Sequence, residues 1–188
     1  MTEKYIGSVG KRCIENLFLN DELSDLNVLC EEETFHCHKL VLCSQSTVFK
    51  SMLVDNDTLE KSSGEILITD ASAATINSLL YFMYHDDFPT TKINMNLLIA
   101  ADKYHVLGLI EICERHMRGN LTEENAVEVM TKSYLINNNT LFDSAWNFVI
   151  YSKAIGNPVN SDSLDEMMKI NPILASGILA KGLFLNRN

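Results

Sequence analysis

Residues 24–52 read SDLNVLCEEETFHCHKLVLCSQSTVFKSM, and this stretch decides the fold. Residues 26–30 and 34–38 form two short strand-like runs on either side of an acidic turn at 31–33. A helical segment follows at once, with Leu40, Val41, Val48, Phe49, Met52 and Leu53 as its apolar positions. Strand, tight turn, strand and helix are a compact way to close a small α+β core. The stretch holds no cluster of groups arranged for chemistry, which points to surfaces rather than to an active site.

Upstream, Ile6, Val9, Cys13, Ile14 and Leu17 follow a 3,4-type spacing. They predict an amphipathic helix from about residue 3 to residue 20. Gly7 and Gly10 weaken it, so it depends on packing against its own core or against another subunit. Downstream, residues 54–64 read as a polar loop carrying one isolated large apolar residue, Leu59. Residues 65–68 read as a strand, and Asp70 or Ser72 can cap the helix expected over 73–84. The stretch 85–89, ending in Pro89, breaks that helix. Helices are expected over 93–104 and 106–117. Leu107, Leu109, Ile110, Ile112 and Cys113 make the second apolar on most sides, which predicts deep burial.

Beyond residue 120 the sequence carries helix signals and no strand signal, with helices expected over 123–134, 141–152, 163–170 and 173–183. Thr122 and Asn125 resemble a capping box in which Asn stands where Glu or Gln is usual. Asn137-Asn138-Asn139 is a turn, and Asn157-Pro158 and Asn171-Pro172 punctuate the last pieces. The shift places a boundary near 118–121, dividing the chain into 1–118 and 119–188.

The 188 residues, 46% hydrophobic and 21% charged, suit a globular domain with a helical extension. A net charge of −10 repels phosphate, so nucleic-acid and anionic-membrane binding are disfavoured. An acidic surface suits a basic protein partner or serves simple solubility. No apolar run approaches the ~20 residues of a membrane span. The five cysteines, Cys13, Cys30, Cys37, Cys43 and Cys113, include no CxxC pair. Residues 1–10 lack the apolar core of a secretory signal, so reduced intracellular thiols acting as small core hydrophobes are the economical expectation. The sequons at Asn120 and Asn138 are then chance matches.

His36 and His38 share a strand face and are half of a zinc site at most. The remaining ligands would have to come from Cys30, Cys43 or an acid at no recognised spacing, so ordinary histidines are the plainer reading. No nucleophile, phosphate-loop or dinucleotide motif is present, and Asp86-Asp87 reads as part of a solvated loop. No cofactor and no enzymatic activity are expected.

The carrying residues of a family resemblance are now in view. Ser24-Asp25-Leu26 with Val28, then Phe35, His38-Lys39, Leu42, Ser46, Val48-Phe49 and Met52 resemble the opening of a BTB/POZ domain. Tyr81-Phe82-Met83-Tyr84, then Leu97-Leu98-Ile99-Ala100-Ala101-Asp102-Lys103-Tyr104, and Cys113-Glu114 continue the likeness. Asn120-Leu121-Thr122-Glu123-Glu124-Asn125-Ala126, Met167-Met168 and Asn171-Pro172-Ile173-Leu174 are similar to the 3-box and BACK-like helices of the speckle-type POZ group. The resemblance implies an α+β BTB/POZ fold, a small sheet flanked by helical hairpins, followed by an all-helical extension.

It also implies an adaptor that forms homodimers and docks a cullin scaffold to bring substrates to a ubiquitin ligase, in the nucleus, the cytoplasm or both. Carried over by position, Phe49, Met52, Leu53, Leu59, Glu60, Tyr104 and His105 would meet the cullin. Ile6, Val9, Cys13, Ile14 and Leu17 would form the dimer interface, Asp25 and Lys39 a charged pocket, and Leu179 a C-terminal self-association contact. A structural ion pair or an N-terminal helix cap is the plainer reading of Asp25 and Lys39. The family's apolar-x-Glu motif is met here by Leu59-Glu60-Lys61, with Lys61 in place of the acid. The speckle-type relatives carry an upstream MATH domain. Either that domain was trimmed from this chain, or the protein never had one and recruits through another surface or through mixed dimers with MATH-bearing relatives. The alternative reading is an oligomerisation module of a transcription-associated BTB protein without cullin affinity.

Overall fold

The computed structural model describes residues 13–85 and 87–154, together with 169, 172, 173 and 176. Ile6, Val9 and Leu179 lie outside the described residues, as do the helices expected at 163–170 and 173–183 apart from 169, 173 and 176, which with 172 are helical. The chain divides into two compact units, Met1–Cys113 and Glu114–Asn188.

In the first unit, β1 (Leu26–Cys30) and β2 (Glu33–Cys37) pair antiparallel, with Leu26 opposite Cys37 and Cys30 opposite Glu33. The hairpin turns at Glu31 and Glu32, one residue tighter than expected. Glu31 takes a left-handed φ of 54° and its carboxylate accepts the Ala73 N–H at 2.9 Å. On the other side of β1, β3 (Glu65–Ile68) runs parallel, giving the order β2-β1-β3. Alternation sends Leu26, Val28, Cys30, Phe35, Cys37, Ile66 and Ile68 into the core. Thr34, His36 and Leu67 stand exposed on the opposite face.

The helical segment after β2 is two helices, where one was expected. α1 (Lys39–Gln45) and α2 (Thr47–Lys50) are separated by Ser46, whose backbone is extended at φ −132° and ψ 118°. The Ser46 hydroxyl accepts the Phe49 N–H at 3.0 Å and donates to the Tyr104 carbonyl, so it starts the second helix and ties it to a distant part of the chain. Leu40, one of the apolar positions expected along this segment, is 83% exposed, because the buried face of α1 runs through Val41 and Leu42. Residues 51–64 also depart from the expected loop. A π-helical turn (Ser51–Asp55) leads to α3 (Leu59–Ser63).

α4 (Ala73–Tyr84) is capped by Ser72, which accepts from the Thr75 N–H at 3.3 Å, while Asp70 binds Lys103 instead. A 3-10 turn (Thr90–Lys92) precedes α5 (Met95–Lys103), capped by Asn94. α6 (Leu107–Gly119) buries one stripe, through Leu109, Cys113 and Met117, and leaves Leu107 56% exposed. Ile110 and Ile112 flank that stripe and are half-buried, so the helix is amphipathic and not buried on most sides as expected. The expected first helix ends at residue 15, and residues 16–19 turn, with Leu19 at φ 55°. Phe18 then packs on Tyr81, Tyr84 and His85, with ring centroids 5.1 to 5.5 Å apart.

In the second unit, Thr122 and Asn125 form the reciprocal capping pair. The Thr122 N–H donates to Asn125 Oδ1 at 2.9 Å, and the Asn125 N–H donates to Thr122 Oγ1 at 3.3 Å. α7 (Ala126–Leu135) and α8 (Asn139–Ala154) pack as a hairpin turned by Asn137 at φ 56°. Leu141, Ala145, Val149 and Ser152 are the buried stripe of α8.

Candidate protein-interaction surface

The exposed apolar ridge of the first unit is built by the chain that follows Phe49. In the π-helical turn the Asn56 N–H reaches back five residues to the Ser51 carbonyl at 3.1 Å. The Asn56 side-chain amide donates to the same carbonyl at 3.1 Å and to Ser51 Oγ at 2.7 Å. Leu53 points into the core, and Val54 is 49% exposed beside it. Thr58 then caps α3. Its Oγ1 accepts the Lys61 N–H at 3.1 Å and donates to the Met52 carbonyl. Gly64 ends the helix at φ 69° with its N–H on the Glu60 carbonyl at 3.0 Å. Leu59, the first residue of α3, is 83% exposed, held forward by hydrogen bonds at both ends of a single helical turn.

The carried-over residues therefore separate into a floor and a rim. Phe49, Leu53 and Tyr104 are buried, and the Phe49 and Tyr104 rings stack with centroids 4.7 Å apart at 9°. They form the floor beneath the exposed rim. Met52 and Glu60 are half-buried, and Leu59 and His105 are exposed. His105 sits between α5 and α6 at φ 50°, and its Nδ1 lies 2.7 Å from Thr47 Oγ1. A groove of about 390 Å³ adjoins His105, lined among others by Cys43, Thr47, Phe82, Leu107 and Gly108. A Cβ at Gly108 would stand 3.1 Å from Phe82 Cζ, so the absent side chain lets α6 approach α4. Lys61 Nζ pairs with Asp57 at 3.2 Å on the rim, both well exposed, so the pair contributes little stability.

A second exposed apolar set lies toward the N-terminus, where Cys13 and Ile14 are exposed and Leu17 is half-buried. Asp25 acts as a helix cap, its Oδ1 accepting the Lys39 N–H at 2.8 Å at the start of α1. His38 is buried past the end of β2. Its backbone N–H donates to Tyr84 Oη at 2.9 Å, its Nδ1 lies 3.0 Å from the same oxygen, and its Nε2 lies 3.3 Å from the Glu22 carbonyl. The Nε2–H tautomer satisfies this set, with Tyr84 donating to Nδ1 and Nε2 donating to Glu22. His36 is exposed and pairs with Asn27 Oδ1 at 3.0 Å. The two histidines thus meet different partners in different environments. Among the described residues no group of three His, Cys, Asp or Glu is placed to hold a metal ion.

Burial pushes the Cys37 thiol up to about 12. Burial also raises Cys30 and Cys43, and neighbouring carboxylates add to the effect, so these thiols stay protonated near neutral pH and are poor nucleophiles. Cys30, Cys37 and Cys113 are core residues, whereas Cys13 is exposed and Cys43 half-buried, contrary to a uniform core role.

A small sheet with one buried face, helices against it, and rims of exposed apolar side chains make a scaffold for binding other proteins. A family model described as the BTB/POZ domain matches residues 14–121. The chain belongs to the BTB/POZ family. Within this family it is similar to BTB and MATH domain-containing protein 40 of Caenorhabditis elegans, at 27% identity over 162 residues, 84% of this chain and 40% of the relative. It is also similar to protein maternal effect lethal 26 of Caenorhabditis elegans, at 27% identity over 169 residues, 89% of this chain and 42% of the relative. Kelch-like protein 6 of Homo sapiens is 30% identical over 118 residues, 62% of this chain and 19% of the relative. Among solved structures, the BTB domain of zebrafish PATZ1 superposes with a TM-score of 0.49 at 21% identity, covering 61% of this chain and 95% of that one. The chain spans about two fifths of the length of the first two of these relatives. It is an α+β BTB/POZ protein-interaction module followed by a helical extension.

Proposed function

We propose that this BTB/POZ chain is a dimeric adaptor that docks a cullin scaffold through the ridge of α3 and so serves a ubiquitin ligase. The observation that carries the reading is Leu59, a large apolar side chain 83% exposed on a turn that is capped at both ends. An apolar side chain held rigidly at a surface gains by burial in a partner's pocket and loses little conformational freedom on binding. The similarity to BTB-and-MATH and Kelch-like proteins supports the reading, as does the likeness of 120–126 to the 3-box. Residues 1–118 would be the docking and dimerisation part and 119–188 a helical extension. Exposed Cys13 and Ile14, next to half-buried Leu17, supply apolar area for a second copy or for a MATH-bearing relative.

Titration of the full chain with a cullin N-terminal domain in a calorimeter tests the proposal. Micromolar binding is expected, weakened at least ten-fold by Leu59→Glu with the circular dichroism spectrum unchanged. Wild-type protein that gives no heat at tens of micromolar would sink it. Lys61, paired to Asp57 where the family motif has an acid, favours the second reading, an oligomerisation module without cullin affinity. That reading expects the same dimeric mass in light scattering and a flat titration.

A further inference from the structure

We propose that Ser62 is a phosphorylation site and that its phosphate dismantles α3, withdrawing Leu59. Its consequence for binding rests on the cullin-docking reading, but its effect on the helix does not. Ser62 is exposed in the last turn of a five-residue helix. Its hydroxyl donates to the Leu59 carbonyl at 2.9 Å and lies 3.4 Å from the Thr58 carbonyl. That proton is what makes the contact attractive. Glu65 stands three residues on, exposed at the start of β3, and Asp57 and Glu60 precede the serine, so the segment suits an acid-directed serine/threonine kinase.

In the transfer, Ser62 Oγ forms a bond to the γ-phosphorus of a nucleoside triphosphate. The bond to the bridging oxygen breaks, the nucleoside diphosphate leaves with the electron pair, and the hydroxyl proton passes to the kinase's base. The product has lost the donor and carries a charge of about −1.5 to −2 at neutral pH. Its oxygens would face the Leu59 and Thr58 carbonyls as acceptor against acceptor, at the negative end of the helix and near Glu60 and Glu65. The one nearby ammonium on this segment, Lys61, is already paired with Asp57. Separating the carbonyls from the phosphate opens the turn that begins with Leu59.

The full chain is incubated with ATP and a kinase that requires a carboxylate three residues after the serine, and phosphate is located by tandem mass spectrometry. Phosphate on Ser62, and none on Ser62→Ala, is expected. No phosphate on Ser62 overturns the proposal. Protein with phosphoserine encoded at position 62 is then compared with wild type by amide hydrogen exchange. Exchange over 59–64 should rise at least ten-fold while β1 and α4 keep their protection, and unchanged exchange overturns the proposal without any reference to cullin. If wild type binds the cullin domain, the phosphorylated chain should bind at least ten-fold more weakly. Equal affinity overturns the switch and leaves the docking reading standing, whereas a flat wild-type titration removes the docking reading and leaves the exchange result to decide the modification.

Discussion

Phe49 and Leu59 lie ten positions apart and illustrate two kinds of importance. Phe49 is fully buried and stacked on Tyr104, so its truncation leaves a cavity and an orphaned ring. Phe49→Ala should cost about 3–5 kcal/mol, seen as a large fall in the thermal midpoint. Any loss of partner binding in that variant follows from lost structure. Leu59→Glu, by contrast, should leave the midpoint within the small range of surface substitutions, with the proposed cullin binding weakened at least ten-fold. The sequence placed Phe49 in a helical segment and Leu59 in a polar loop, yet the family resemblance put both in one partner-contact set. The distinction depends on the Ser46 break and the π-helical turn, which decide which way each side chain points.

At the scale of elements, the strands at 26–30 and 65–68 and the helix at 73–84 were legible, because period-two alternation, a serine cap and a proline stop all agree there. The helix carrying Leu59 was missed although its signals were present. Thr58 at the start and Gly64 just past the end are ordinary helix boundaries, hidden by polar composition and a length of only five residues. Because that helix is too short to stand on propensity, its caps matter more than usual. Thr58→Ala removes one hydrogen bond at each of two places and should cost about 1 kcal/mol. Amide exchange over 59–64 should quicken well before the midpoint of global unfolding moves. The π-helical turn had no sequence signal at all, since a single residue in excess of an α-turn leaves no compositional trace.

Across the whole molecule, the buried Cys37 and Tyr84 make alkaline pH the sensitive direction. Both groups are raised, Cys37 from its ordinary value of 9.0 to about 12, chiefly by burial. A raised acid stays protonated in the folded protein after it has ionised in the unfolded chain. The contribution to stability is therefore complete below about pH 9 and is lost as pH climbs toward 12. The thermal midpoint should fall steadily over that interval, and Cys37→Ala should flatten the fall while leaving the neutral-pH fold intact. The same burial keeps the core thiols Cys30 and Cys37 protonated and poorly nucleophilic near neutral pH.

The π-helical turn also has a bearing on how this surface can change by insertion and deletion. The Asn56-to-Ser51 hydrogen bond spans five residues where an α-helix spans four, so the aim of α3 depends on a residue count as well as on residue identity. Removing Val54, which is half in solvent, would let the turn relax to α-helical spacing and keep Leu53 in the core. The chain beyond would then swing by roughly 100°, the angle one helical residue subtends. A shortened chain of this kind should melt close to wild type and yet present Leu59 to a different neighbour. One codon could thus redirect α3 without altering any residue within it.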